Sequence, residues 1–213
     1  MLRSADPERS NRRAEALLEP ALDGTDLTFC EPGQARADID HVTLAGPLDR
    51  FDEALLYLRA LLDLEPQESL ELASPDGLVR SRALTNADRS VRIVLNVGSD
   101  FEHVAYATDD ALAAARALRE GGTELLEIPG NYYDDLAART TIDVEPLREL
   151  GVLYDRDDAG EFLHFYTATL PGHRFFEVVE RRGGYDGYGA ANSPVRMGAQ
   201  RAARKEREDH IHA

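Results

Sequence analysis

Four side chains in this sequence have the type and placement for metal chemistry. His41 lies in IDHVTLA (Ile39–Ala45) and His103 in FEHVAYA (Phe101–Ala107), and both segments read as strands. Strand alternation puts His41 on one face with Ile39, Thr43 and Ala45, and His103 on one face with Phe101, Ala105 and Ala107. Each face reads as an interior, where a lone histidine is an ordinary core residue. Two histidines at equivalent points of a duplicated unit are a different matter, because two such units can bring them together about a pseudo-two-fold axis. Glu177, in RFFEVVE, shares its face with Phe175 and Val179. A carboxylate there is costly to bury unless it is paired or bound to a metal. Two imidazoles and a carboxylate with open positions opposite make the facial triad of non-haem Fe(II) oxygenases, where O₂ and a chelating substrate bind side by side. The competing reading of Glu177 is a salt-bridged edge-strand residue. His164 is the fourth candidate. EFLHFYT and RFFEVVE are joined by ATLPGH (Ala168–His173), so a hairpin is natural. Pairing Thr167 with Arg174 sets His164 opposite Glu177 and Tyr166 opposite Phe175. His164 is then expected as a catalytic group, supporting the carboxylate or facing substrate, against the alternative of an ordinary strand residue.

The elements that must position these residues form an internal repeat. DHVTLA at 40–45 and EHVAYA at 102–107 stand in the same register, and each is followed by an acidic helix start and an Ala/Leu-rich helix. In the first copy Phe51, Ala54, Leu55, Tyr57, Leu58, Leu61 and Leu62 recur at helical spacing. Three strand-like runs follow: Ser69–Ala73, Leu78–Asn86 and Ser90–Val97, with turns at Pro-Asp-Gly and Asn-Ala-Asp-Arg. The second copy carries an insert of two short helices, Asn131–Thr140 and Val144–Leu150. Its strands then resume as GVLYDRD, EFLHFYTA and RFFEVVE. GGYDGYG is a loop, and Pro194–Arg207 is a charged C-terminal helix. Residues 1–37 lack this pattern. They offer a short helix over Arg13–Leu22, a strand over Gly24–Phe29 and a breaker-rich stretch around Cys30.

Composition removes several function classes. The 213 residues carry 24 basic and 40 acidic side chains, a net charge of −16, which argues against nucleic-acid binding and against docking on anionic membranes. One cysteine excludes a disulfide framework or a Cys-based zinc site. No apolar run reaches the roughly 18 residues of a membrane span, and the charged N-terminus does not read as a secretory signal. The expected compartment is the cytoplasm.

Strand, helix and three strands, given twice, with candidate ligands on the first strand of each copy and on the last strand, resembles the vicinal oxygen chelate superfamily. The stretches EHVAYATDD, IPGNYYDDLAAR, LRELGVLYDRDDAGEFLHFYT and RFFEVVERRGGYDGYG resemble the C-terminal half of 4-hydroxyphenylpyruvate dioxygenase. YYDDLAAR, EFLHFYTATL and RRGGYDGYGAAN resemble more closely the dioxygenase-like C-terminal region of bacterial 3-dehydroshikimate dehydratase fusion proteins. The resemblance implies an α+β fold of two paired βαβββ modules forming a curled sheet around a metal. It places the modules at about 38–98 and 99–182 within a domain of 38–200. A helix spans 189–207, a disordered tail 208–213, and a leader or remnant of a preceding module 1–37. It implies Fe(II), or another divalent metal, on His41, His103 and Glu177, with a keto acid or aromatic acid and O₂ as small-molecule partners. Substrate is expected against Ser81, Asn96, Tyr166, Phe175, Tyr188 and Ser193. The sequence departs from the dioxygenases in the same region: His164 replaces a pocket glutamine, Tyr166 stands where one clamp aromatic sits, and Ser193 replaces the other clamp aromatic. The missing half leads us to expect an apolar face and a homodimer. The implied function is a metal-dependent dioxygenase. A non-catalytic metal-binding module and extradiol cleavage are the alternatives.

Overall fold

The computed structural model describes residues 38–211 and, before them, two short strands, β1 (Leu2–Arg3) and β2 (Phe29–Cys30), which pair in parallel. The expected helix at 13–22 and the end of the chain at 212–213 lie outside the described residues. Of the described chain, one compact unit takes residues 38–71 and 79–102, and a second takes 72–78 and 103–211.

The first unit runs β3 (Ile39–Gly46), a 3-10 turn, α1 (Phe51–Leu62), β4 (Glu65–Ser74), β5 (Gly77–Thr85) and β6 (Arg92–Val97). Its strands lie in the order β4-β5-β6-β3, with β5 and β6 antiparallel and β3 and β6 parallel. The parallel pair needs a crossover, which α1 begins. The apolar stripe of α1, Phe51, Ala54, Leu55 and Leu58, packs with Leu84, Ile93, Leu95 and Val97 in one core. Asp63 closes α1 in the left-handed conformation, with its N–H bonded to the carbonyl of Arg59. β4 is four residues longer at its start than the pattern suggested, and Pro66 fits there because β4 is the end strand of the order.

The second unit runs β7 (Glu102–Ala107, whose first residue belongs to the first unit), α2 (Ala111–Glu120), α3 (Gly130–Arg139), α4 (Glu145–Leu150), β8 (Leu153–Arg156), β9 (Gly160–Tyr166), β10 (Arg174–Gly183) and α5 (Ser193–Ile211). Its strand order is β7-β10-β9-β8. The Asp110 side chain caps α2 by accepting from the N–H of Ala113 at 2.9 Å. The buried Glu180 carboxylate of β10 accepts from the N–H of Ala111 at 2.8 Å, so sheet and helix start are tied together. The C-terminal helix begins and ends four residues later than the expected 189–207, and Arg201 donates to the carbonyl of Pro75 at 2.7 Å. The hairpin register differs from the expected one. Glu177 pairs with Tyr166 and Val179 with His164, so Thr167 faces Phe176 rather than Arg174. The reason is the turn: the Thr167 N–H donates to the Phe176 carbonyl and the Thr167 hydroxyl accepts from the Phe176 N–H, while Leu170 closes an inner turn on Arg174. A slip of two residues leaves every side chain on the face that alternation assigned.

Candidate metal centre

β10 carries Glu177 into the second unit with 1% of its surface exposed. Its Oε2 lies 3.1 Å from His103 Nε2 and its Oε1 lies 2.7 Å from His164 Nδ1. β7 supplies His103 and β9 supplies His164, the strands on either side of β10. Phe175, two residues before Glu177 on the same face, stacks on the His103 imidazole with centroids 4.7 Å apart and fixes its plane. Tyr166 stands edge-on to both imidazoles, and its hydroxyl is 3.0 Å from His164 Nδ1. Burial, and then the nearby Glu177 charge, push the Tyr166 phenol well above its ordinary pKa, so it stays protonated.

The protonation of His164 follows from its neighbours. The Asn192 side-chain amide donates to the carbonyl of Tyr154 at 3.0 Å, which fixes the nitrogen on that side. That same nitrogen lies 2.9 Å from His164 Nε2, so Nε2 accepts and the ring proton sits on Nδ1, where it is donated to Glu177 Oε1. His164 is completely buried with both ring nitrogens engaged. With both nitrogens so used, His164 supports the Glu177 carboxylate.

In the first unit β3 buries His41, with its Nδ1 2.8 Å from the carboxylate of the adjacent Asp40. A carboxylate on Nδ1 orients the ring and raises the basicity of Nε2, as is usual for a metal-binding imidazole. Arg92 reaches the other oxygen of Asp40 at 3.8 Å. Ser81 and Asn96 face each other across β5 and β6, both buried, and among the described residues Asn96 Oδ1 has no hydrogen-bond partner. The donors fit a divalent cation in kind: two imidazoles and a buried carboxylate whose ligand atoms lie within 4.8 Å of one another, His41 ordered by Asp40, Glu177 by His164 and His103 by the Phe175 ring.

Similarity to known proteins agrees with these elements. No protein-family model matches the chain. It is 43% identical over 187 residues to a 3-dehydroshikimate dehydratase of Pseudomonas aeruginosa, covering 78% of this chain and 30% of the relative. It is 33% identical over 133 residues to the 4-hydroxyphenylpyruvate dioxygenase of the same organism, covering 58% of this chain and 37% of that enzyme. The chain thus spans less than half of either relative. Among solved structures, a xylose isomerase-like TIM barrel/4-hydroxyphenylpyruvate dioxygenase fusion protein matches 95% of this chain and 41% of its own, at 32% identity and a TM-score of 0.78. A variant of 4-hydroxymandelate synthase from Streptomyces coelicolor matches 95% of this chain and 75% of its own, at 22% identity and a TM-score of 0.79. The chain has the α+β vicinal oxygen chelate fold.

Tyr166 and Phe175, expected against substrate, pack around the His103, His164 and Glu177 side chains. Tyr188 is half-buried under the Arg181 guanidinium, 5.5 Å from its ring centre. Ser193 opens α5 and is half-buried. Three contributors escaped the sequence reading: Asp40, Asn192 and Arg196. Asp40 sits next to His41 in DHVTLA, and that adjacency was a usable signal. Arg196 was hidden in a helix rich in charge. It is 6% exposed, and its guanidinium lies 5.4 Å from the Phe175 ring centre and 5.7 Å from that of Tyr166. Among the described residues no helix is long and apolar enough to cross a membrane.

Proposed function

We propose that the chain is a metal-dependent dioxygenase of the 4-hydroxyphenylpyruvate dioxygenase type, using Fe(II) on His41, His103 and Glu177 and acting with O₂ on an aromatic or related keto acid. The observation that carries this reading is the buried Glu177 carboxylate with an imidazole against each oxygen. A carboxylate removed from water in this way needs a cation or donated protons. A metal there would supply Lewis acidity toward the keto acid and a site for O₂. The chain's own residues do the rest. His164 holds Oε1 of Glu177, and Oε2 lies against the His103 Nε2. Asp40 orients His41, Phe175 fixes the plane of His103, and Tyr166 stays protonated beside the carboxylate. Similarity to the dioxygenase and to the dehydratases supports the reading.

A second reading has its own support: the chain matches only 30% of a dehydratase to which it is 43% identical, and this part need not carry that enzyme's reaction. It would then be a metal-binding module without turnover. Elemental analysis of protein purified anaerobically, wild type beside Glu177→Ala, comes first. Near-stoichiometric iron that is lost in the variant is expected, and no metal in either protein would sink the reading. O₂ uptake with a panel of keto acids then separates the dioxygenase from the silent module. A catechol panel separates it from extradiol cleavage, and His41→Ala is expected to abolish whichever turnover is found.

A further inference from the structure

Among the described residues no carboxylate forms a direct ion pair with Arg196, which is buried in the second unit; the nearest acidic influence is Glu177, which acts with it on Tyr166. Among the described residues the Arg196 guanidinium makes one hydrogen bond, from Nη1 to Oε1 of Gln200 at 2.7 Å, one turn along α5. Burying an arginine is costly unless its charge is compensated, and cation–π contacts return only part of that cost. The partner it does have points the same way. Because Gln200 turns its oxygen to Arg196, its amide nitrogen is left buried and without an acceptor. A guanidinium without an ion-pair partner and an unmet amide donor therefore lie on one turn of α5.

Arg196 sits beside the Glu177 cluster. The Phe175 ring under Arg196 also stacks on His103, and the Tyr166 ring under Arg196 stands edge-on to His103 and His164. The guanidinium is thus one aromatic layer away from the candidate metal ligands. Ser193 lies three residues earlier on the same helix.

We infer that Arg196 receives a carboxylate of the substrate over the Tyr166 and Phe175 rings. That this is a second acidic group, besides the keto acid itself, rests on the function proposed above. The substrate class is accordingly a keto acid with a further carboxylate at its far end. A planar guanidinium fork suits a carboxylate held by two parallel hydrogen bonds.

The test uses metal-free protein and two probes of one shape, benzoate and benzamide, titrated by calorimetry. Benzoate is expected to bind about tenfold or more tightly than benzamide, as a charge-assisted pair should. Arg196→Gln is expected to erase that preference and Arg196→Lys to keep part of it. Equal binding of the two probes by the wild type, or wild-type benzoate affinity in Arg196→Gln, would overturn the inference and leave Arg196 a packing residue. The wild-type comparison stands even where a variant fails to fold. Since no metal is present, benzoate preference without any iron in the elemental analysis would remove the dioxygenase reading and retain the anion site. Iron without benzoate preference would do the reverse.

Discussion

At the scale of single residues, the centre depends on one proton. Asn192 leaves His164 only its Nδ1–H, and that proton is spent on Glu177. Removing it should loosen the carboxylate and expose a second oxygen to compete for the cation. His164→Leu is therefore expected to weaken divalent-metal binding about 10–100-fold, measured by competition with a chromophoric chelator, while His164→Gln keeps a donor and much of the affinity. Equal affinity in the leucine variant would exclude the positioning role. Gly189 supports the same ring from the loop side. Its φ is +59°, and a Cβ there would lie 2.8 Å from His164 Cε1. Gly189→Ala should cost about 1–3 kcal/mol in denaturant unfolding and weaken metal binding with it. Glu177 and the two repeat histidines were legible in the sequence because alternation along a strand assigns a face even when the register is off by two. Arg196 was not, since nothing local separates an arginine that packs on aromatics from one that faces water.

At the scale of elements, the sequence marked the strands and helices well because period and turn residues agree. It could not show how α3 guards the free side of β8. That strand ends the second unit's order, so the outward N–H and C=O of Tyr154 need partners. The Tyr132 hydroxyl of α3 accepts from that N–H at 2.9 Å and donates to that carbonyl at 3.1 Å. Burial pushes the Tyr132 phenol up to about 12. The sign follows: the unfolded chain loses this proton near pH 10, the folded one near 12, so the neutral hydroxyl's contribution is complete below about pH 10 and is lost as the pH rises toward 12. Tyr132→Phe should lower stability at pH 7 by about 1–3 kcal/mol and make the loss between pH 10 and 12 shallower, followed by urea unfolding across that range. An unchanged slope would mean that the other buried tyrosines carry the alkaline limit alone.

At the scale of the whole molecule, the repeat explains why two histidines arise from one pattern: each copy of the repeat opens on a strand with histidine at its second or third residue, followed by a helix. The net charge of −16 acts on both kinds of ligand at once. It attracts a divalent cation and repels an acid at distances beyond direct contact. Salt weakens both effects, because the screening length falls from about 30 Å at 0.01 M to about 3 Å at 1 M. Metal and carboxylate should therefore respond to salt with opposite signs in their association rates. Stopped-flow mixing at 20 and 500 mM salt is expected to slow the uptake of the cation severalfold and to speed that of benzoate. The Arg196→Gln variant should keep the metal's salt dependence unchanged, since one charge in a field of this size is minor, while its benzoate signal disappears. If benzoate entered more slowly at high salt, the acid would be steered by a local positive field strong enough to outweigh the acidic surface, and Arg196 would be only one part of that field.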